Sequence, residues 1–303
     1  MTGIFDDIRT SFSRGNNALH QLILLNVIVF VVLIIGRTIM TISGAEAMFS
    51  YLMTFLALPS DLSFFLIRPW TLITYFFMHL GFLHIIFNLL NLYWFGMLVR
   101  EYLGDKRLVS LYVLGGLAGG LFYLLTYNTI PYLQARAGVS AMMGASASVV
   151  AITVAAATLL PNYTFHLLLF GPVKIKYIAL FVVLLSISGA VGSNAGGNIA
   201  HIGGAILGFF FIKQLQGGRD LGRPVQAVLD FFRRLFQRRS PLKVSYKNPN
   251  RPFASTSSAA GSYSSPVVPS QNEIDQILDK ISTSGYESLT KEEKQKLFRA
   301  SQK

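Results

Sequence analysis

Long windows without a charged residue constrain this chain more than any other feature of its sequence. A helix needs about 20 mostly apolar residues to cross the hydrocarbon of a bilayer, so each window is a candidate span. Of the 303 residues, 52% are hydrophobic and only 13% are charged, which is unusual for a soluble domain. The sequence therefore predicts an all-α membrane protein. The uncharged windows are 15–36, 69–99, 108–135, a fourth that begins at Ala137, and 177–212.

These windows predict a bundle of six transmembrane helices within residues 21–213. The last window is too long for one helix, and its glycine-rich segment 189–198 is the natural hinge between helices five and six. Residues 38–67 are apolar but interrupted by polar and charged residues, which indicates a first loop embedded in the membrane surface. The other helices centre on 22–35, lie within 69–99 and 108–135, and run from near Ser146 to near Pro161.

The positive charges predict the orientation of the bundle. Six spans place both termini on one side, and Lys and Arg are enriched on the cytoplasmic side of membrane proteins. The termini, and the connections on the same side as the termini, contain most of the basic residues, so both termini are predicted to be cytoplasmic. The predicted location of the bundle is the cell (inner or plasma) membrane. The basic residues on the side of the termini are Arg9, Arg14, Arg100, Lys106, Arg107, Lys174 and Lys176, followed by a basic tail.

The segments outside the bundle differ in composition. A short cytoplasmic segment, 1–20, precedes it, and 214–239 has the apolar and arginine spacing of a basic amphipathic helix, which would contact membrane lipids or pack on the protein. Segment 240–271 is rich in Ser, Pro and Asn, so a disordered linker is predicted. Segment 272–303 predicts a small cytoplasmic module of two helices, with Thr290 and Glu293 as a capping box.

Charge and cysteine content narrow the partners. The net charge of +12 is concentrated after the last apolar window, which favours contact with membrane lipids and no nucleic acid. The chain contains no cysteine, so disulfides and thiolate metal sites are excluded.

A serine and a histidine, each beside a run of small residues, are the candidate catalytic residues. Ser146 lies in the small-residue segment 141–148, and His201 precedes Gly204 and Gly208 on one helix face. Polar groups are costly inside a bilayer, so such a cluster is a functional hypothesis. The alternative is that these side chains only form hydrogen bonds between helices.

The residue types indicate a serine hydrolase. Ser146 is the candidate nucleophile, and His201 is the base that removes its proton. His84 and Asn88 are four residues apart on one face of helix two and would donate to an oxyanion together with the Ser146 N–H. No carboxylate completes a triad, so a Ser146–His201 dyad is predicted. Ser140 and Ser148 are rival nucleophiles, and Ser148 would point away from Ser146 on the helix.

These residues resemble the rhomboid family of intramembrane serine proteases, of bacterial type with a C-terminal cytoplasmic extension, over roughly 70–208. The motifs are His79-x4-His84-x3-Asn88, Gly144-x-Ser146 and Ala200-His201-x-Gly203-Gly204, with Gly96, Glu101 and Gly104 in support. The resemblance implies a six-helix rhomboid core, a Ser146–His201 dyad, and an oxyanion hole that includes His84 and Asn88. It also implies cleavage of single-pass membrane proteins near the outer face, with no cofactor and no metal. In that family His79 looks structural.

The chain departs from the family pattern at three positions. Ala147 stands where glycine is common, Val150 where an aromatic ring stacks on the base, and Thr71 where arginine follows tryptophan. These changes put packing and rate in doubt. A non-catalytic relative that binds membrane helices is the alternative function, and a transporter or channel ranks below it. Helix five, short and flanked by glycine, is the candidate mobile element that admits substrate.

Overall fold

The computed structural model describes residues 17–138, 140–167, 171–236 and 271–300. The chain divides into two compact units, Met1–Arg239 and Ser240–Lys303. Six apolar helices build the first unit. They are α1 (Ala18–Ile42), α2 (Phe82–Leu103), α3 (Asp105–Thr129), α4 (Ser146–Leu159), α5 (Ile175–Gly189) and α6 (Ala195–Gln216).

The lengths of these helices divide them into two classes. Helices α1, α2, α3 and α6 are long and apolar enough to cross a membrane. Helices α4 and α5 are apolar but have only 14 and 15 residues, so each is about 21–23 Å long at 1.5 Å per residue. The predicted fold class, an all-α membrane bundle, is confirmed.

Some helix bounds differ from the prediction. Helix α1 is longer than its predicted centre, 22–35, since it begins at Ala18 and continues past Arg37 to Ile42. Helix α2 begins only at Phe82, so His79, the first residue of the motif His79-x4-His84-x3-Asn88, precedes the helix that bears the other two. The hinge between helices five and six was predicted well, since α5 ends at Gly189 and α6 begins at Ala195.

The connection between α1 and α2 consists of short elements. Three short helices occupy Glu46–Met53, Leu62–Ile67 and Thr71–Thr74, and the Asp61 carboxylate caps the second by accepting from Ser63 N at 2.8 Å. Strand β1 (Leu58–Pro59) pairs antiparallel with β2 (Ala141–Met142), just before α4. This pairing joins the first connection to the segment that bears Ser146.

A β-hairpin that the sequence did not predict lies between α4 and α5. Strand β3 (Thr164–Leu167) pairs antiparallel with β4 (Gly171–Lys174). Proline and glycine at 171–172 obscured the alternation that would have indicated a strand. His166 is exposed on this hairpin, as a surface residue should be.

Small residues let α3, α4 and α6 pack at close range. A Cβ added to Gly204 or Gly208 of α6 would overlap the carbonyl oxygen of Ala147 or Ala151 of α4. A Cβ on Gly115 of α3 would lie 2.5 Å from Ala151 Cβ of α4. Helix α4 is therefore held between two glycine-lined helices, as small residues allow in membrane interiors.

An amphipathic helix, α7 (Arg223–Phe236), follows the bundle. Its predicted residues 237–239 lie outside the described ones. The connection from α6 is fixed by an ion pair in which Arg107 Nε of α3 donates to Asp220 Oδ2 at 2.9 Å. Exposed apolar side chains lie along α7 next to arginines at 223, 233 and 234: Val228, Leu229, Phe231, Phe232 and Leu235.

The described part of the second unit, residues 271–300, contains the α-helices α8 (Gln271–Ser284) and α9 (Lys291–Ala300). The predicted capping box is confirmed, since Thr290 N donates to Glu293 Oε2 at 2.7 Å and Glu293 N donates to Thr290 Oγ1 at 3.3 Å. The Thr290 N–H, with Lys280, lowers the pKa of Glu293 to about 2. The predicted linker and the N-terminal segment lie outside the described residues, apart from Asn17 to His20 and Gln271.

Candidate active site

The loop before α4 fixes the position of Ser146. Gly144 has a φ of +134°, a conformation that favours glycine, and a Cβ there would lie 2.7 Å from Cε1 of His84. Its N–H donates to the carbonyl oxygen of Tyr75 at 2.9 Å, and the next N–H, of Ala145, donates to His79 Nε2 at 3.3 Å. Ser146 is the first residue of α4, where backbone N–H groups have no acceptor within the helix.

His84 and Asn88 reach this loop from the first two turns of α2. Asn88 is buried, and its Nδ2 donates one hydrogen bond to the carbonyl oxygen of His84 at 2.8 Å. An amide nitrogen has two N–H groups, so Asn88 retains a second donor. The His84 ring lies edge-on to the His79 ring, with centroids 5.1 Å apart. The loop, through Gly144, therefore abuts the imidazole of His84.

His201 enters from the second turn of α6. Its Nδ1 lies 3.1 Å from Ser186 Oγ of α5. Among the described residues, the His201 side chain forms this one hydrogen bond, to Ser186, and none to Ser146. The Ser186 hydroxyl also donates to the carbonyl oxygen of Val182 at 2.8 Å.

One cavity of about 300 Å³ brings the predicted residues together. Its lining comes from α2, the loop before α4, α4 itself, α5 and α6. It includes the hydroxyl, imidazole and amide types that acyl transfer requires. The predicted site residues that line it are His84, Asn88, Ser146 and His201.

The rival nucleophiles do not share this cavity. Ser148 is fully buried beside Gly116 of α3, and its hydroxyl has no hydrogen-bond partner. Ser140 lines a neighbouring polar pocket, and its Oγ accepts from the Tyr123 hydroxyl at 3.2 Å. His79 is also fully buried and contacts the loop through Ala145. Ser146 is thus the candidate that shares a cavity with His201.

The structure shows the surroundings of the three positions at which the sequence departs from the rhomboid pattern. Ala147 is 1% exposed, and the absence of a side chain at Gly119 of α3 leaves room for its methyl group. Val150 lines the cavity without an aromatic ring. In the first connection, Arg68 donates to the Thr54 carbonyl oxygen at 2.9 Å. Arg68 therefore holds the loop although no arginine follows Trp70.

Ser186 is the residue that the sequence analysis missed. It is 2% exposed inside an apolar helix, and a polar residue in a membrane span is a signal in itself. That signal is weak for serine, which can bond to its own helix backbone. Across the part of the chain that the structure describes, no group of three or more His, Asp or Glu residues is arranged to hold a metal ion.

Comparison with protein families gives two matches. The model of the Rhomboid domain matches residues 67–215, which include every residue of the cavity. A second model, described as a family of unknown function (DUF6576), matches residues 262–303. The two matches lie on different sides of the division between the compact units.

Several curated proteins from Arabidopsis thaliana are similar to this chain. RHOMBOID-like protein 12, mitochondrial, is 32% identical over 164 residues, which are 50% of this chain and 48% of that protein. Rhomboid-like protein 16, chloroplastic, is 28% identical over 172 residues, 53% of each chain. Inactive RHOMBOID-like protein 8 is 30% identical over 82 residues, 27% of this chain and 23% of that protein. The chain spans about half the length of the first two relatives.

Proposed function

The chain is a member of the rhomboid family, and from that premise we propose that it is an intramembrane serine endopeptidase. Its substrates in this proposal are single-pass membrane proteins, cleaved near the outer face of the membrane. The supporting observation is the shared cavity, in which Ser146, His201, His84 and Asn88 come from three helices.

The first chemical step is attack by the serine. Ser146 Oγ forms a bond to the carbonyl carbon of the scissile peptide while its proton passes to His201 Nε2. The carbonyl π electrons move to the oxygen, which becomes an oxyanion. A neutral imidazole near pH 7 is suited to accept the proton.

Stabilisation of the oxyanion falls to donors around the cavity. The backbone N–H of Ser146 lies at the start of α4, where the helix dipole favours negative charge. His84 and the second N–H of Asn88 supply side-chain donors from α2. Donors held in place before the reaction stabilise the charge without reorganisation, and each is worth several kcal/mol in a site of this kind.

The reaction ends with hydrolysis. When the C–N bond breaks, the leaving amine takes the proton from His201 Nε2, and an acyl ester remains on Ser146. Water then attacks the ester, gives a proton to Nε2, and the Ser146 oxygen leaves with that proton restored. No cofactor or metal takes part in this scheme.

The membrane placement is part of the same proposal. Alternating spans make α2, α4 and α6 run in one direction. Asn88, Ser146 and His201 lie towards the starts of these helices, and therefore towards the same side of the bundle. With both termini cytoplasmic, as the basic residues favour, those starts face the outer side of the cell membrane. The basic amphipathic helix α7 would then lie at the inner face, against anionic lipid.

A non-catalytic rhomboid-like protein that binds membrane helices is the second candidate. The similarity to Inactive RHOMBOID-like protein 8 favours it, because the family includes at least one protein so named. Against it, both Ser146 and His201 are present and share a cavity.

Cleavage of a single-pass model substrate by the purified full chain tests the proposal. We expect cleavage by the wild type and its loss in Ser146→Ala and His201→Ala, while Ser148→Ala, a matched change on α4, keeps activity. Circular dichroism would verify folding of each variant. Equal cleavage by wild type and Ser146→Ala would overturn the proposal.

A further inference from the structure

Ser186 of α5 lies directly behind the base. Its side chain is 2% exposed and is not among the residues that line the cavity. Its Oγ nevertheless lies 3.1 Å from His201 Nδ1, on the side of the imidazole ring opposite Nε2. Ser186 therefore contacts the base without access to a substrate in the cavity.

The hydrogen-bond count fixes which group donates. A hydroxyl has one proton and two lone pairs, and a carbonyl oxygen only accepts. Ser186 Oγ lies 2.8 Å from the Val182 carbonyl oxygen, so its proton is used there. Both contacts are hydrogen bonds at once only if His201 Nδ1 carries the hydrogen and donates to Ser186 Oγ. The other tautomer would force the hydroxyl to abandon one of its two partners.

We propose that Ser186 is a positioning residue that holds neutral His201 as the Nδ1–H tautomer. This inference rests on the proposed function, in which His201 is the base. With the hydrogen on Nδ1, the lone pair is on Nε2, where it accepts the proton of Ser146. In functional histidines, the hydrogen bond made by one ring nitrogen commonly determines which nitrogen carries the proton. Here the acceptor of that bond is a hydroxyl instead of a carboxylate or a backbone carbonyl.

The same contact has a second consequence during the reaction. When Nε2 receives the proton, the ring becomes an imidazolium and Nδ1–H becomes a charged donor. Hydrogen bonds from charged donors are roughly twice as strong as neutral ones. Ser186 thus stabilises the protonated base more than the neutral one, which favours the transition state over the ground state.

The contact also joins two helices. Ser186 belongs to α5, whereas His201 belongs to α6, and the connection between them is the glycine-rich segment 189–198. A movement of α5 away from α6 would remove the acceptor from Nδ1. The tautomer of the base is therefore coupled to the position of α5.

Nitrogen-15 NMR of histidine in the full-length protein tests the tautomer directly. At about pH 8.5, above the ordinary histidine pKa, the two neutral tautomers give distinct ring shifts. The His201 signal is identified by its loss in His201→Gln. We expect the Nδ1–H form in the wild type and in Ser188→Ala, and a mixture of tautomers in Ser186→Ala. A wild-type Nε2–H form would overturn the proposal, whether or not the protein cleaves a substrate.

Kinetics provide the second test. Ser186→Ala should lower kcat by about 10- to 100-fold, which is at or below the lower end of the range for general base catalysis. Part of the population then lacks a lone pair on Nε2, and the protonated base loses its acceptor. KM should stay within about twofold, since Ser186 does not line the cavity. Ser186→Thr, which keeps the hydroxyl, should retain most of kcat.

Ser188→Ala is the matched control, because Ser188 is an exposed serine on the same helix. It should leave kcat unchanged. An unchanged kcat in Ser186→Ala would contradict the proposal, as would equal losses in the Ala and Thr variants. Should Ser186→Ala fail to fold, the wild-type tautomer and the Thr variant still decide the question. Absence of wild-type cleavage would count against the proposed function, and the tautomer measurement would stand by itself.

Discussion

Helices α4 and α5 have almost the same length but opposite surroundings. Ten of the 14 residues of α4 are buried, whereas only Ile175, Ala179 and Ser186 are buried among the 15 residues of α5. Helix α4 is enclosed by α3 and α6, while most of α5 faces outward, where lipid would lie. Ser146, the proposed nucleophile, is thus held in a fixed frame, and Ser186, the proposed acceptor for His201, lies on the more peripheral helix.

The comparison indicates how such a protein combines precision with access. The position of a nucleophile must be held closely, and close packing of small residues achieves that. In the proposed protease, a substrate helix would also enter from the lipid, which requires an element with few contacts to break. Helix α5 fits that need, in agreement with the hypothesis that helix five is the mobile element.

The largest expected effect comes from changing the interface between α4 and α6. In Gly208→Ala the new Cβ would overlap the Ala151 carbonyl oxygen, so the backbones must separate. We expect a loss of about 3 kcal/mol or more in unfolding free energy, at the upper end for overpacking. Thermal unfolding in detergent would measure it.

Gly36→Ala in α1 is the control for that change, because a Cβ there meets nothing within 4 Å. It should raise stability by roughly 0.5–1 kcal/mol, since glycine is unfavourable within a helix. Equal effects at both positions would mean that α4 and α6 are not closely packed.

Truncation of an apolar side chain should have the next largest effect, and should destabilise the protein more in α4 than in α5. Ile152 of α4 is 0% exposed, so Ile152→Ala should cost about 2–3 kcal/mol through lost packing. Leu184 of α5 is 55% exposed, and Leu184→Ala should change stability by less than about 0.5 kcal/mol. Chemical unfolding of the two variants would measure both losses of unfolding free energy. Equal losses would contradict the difference in packing between α4 and α5.

Restraining α5 should affect substrate entry more than chemistry. The chain has no cysteine, so Phe87→Cys and Val182→Cys, both at the cavity, can be joined by a bifunctional maleimide. We expect the crosslink to reduce cleavage of a membrane-embedded substrate about tenfold or more, or about 1.4 kcal/mol in activation free energy. The uncrosslinked double variant is the control, and unchanged turnover after crosslinking would remove α5 as the gate.

The smallest effect concerns the ion pair between Arg107, near the start of α3, and Asp220, just after α6. Burial of the Asp220 carboxyl raises its pKa, but hydrogen bonds and charge from Arg107, with the Gly222 N–H, outweigh this and hold it below the ordinary 3.8. Its contribution to stability is thus complete above about pH 4 and is lost as pH falls through the lower, folded pKa. Because Arg107 is partly exposed, Asp220→Asn should cost only about 0.5–1 kcal/mol at pH 7.

Unfolding midpoints of wild type and Asp220→Asn should converge as pH falls below the ordinary value of 3.8 and through the lower, folded pKa of Asp220. A constant difference across this range would show that the ion pair is not its source.

Local sequence features predicted the frame of the fold. Uncharged windows predicted six apolar helices, and the structure contains them. Ser146 and His201 stand in small-residue segments, so they could be identified before the structure. The hairpin β3–β4 was missed because Gly171 and Pro172 look like a turn. Ser186 was missed because its partner is 15 residues away on another helix, and only packing brings the two together.

The activated nucleophile is the central claim, and covalent labelling by a fluorophosphonate tests it most directly. Attack by an activated serine on phosphorus expels fluoride and leaves a stable adduct, which mass spectrometry locates. The account predicts modification of Ser146 in the wild type and in Ser148→Ala, and almost none in Ser146→Ala or His201→Ala. Equal labelling of Ser146→Ala, or an adduct confined to another serine, would contradict it.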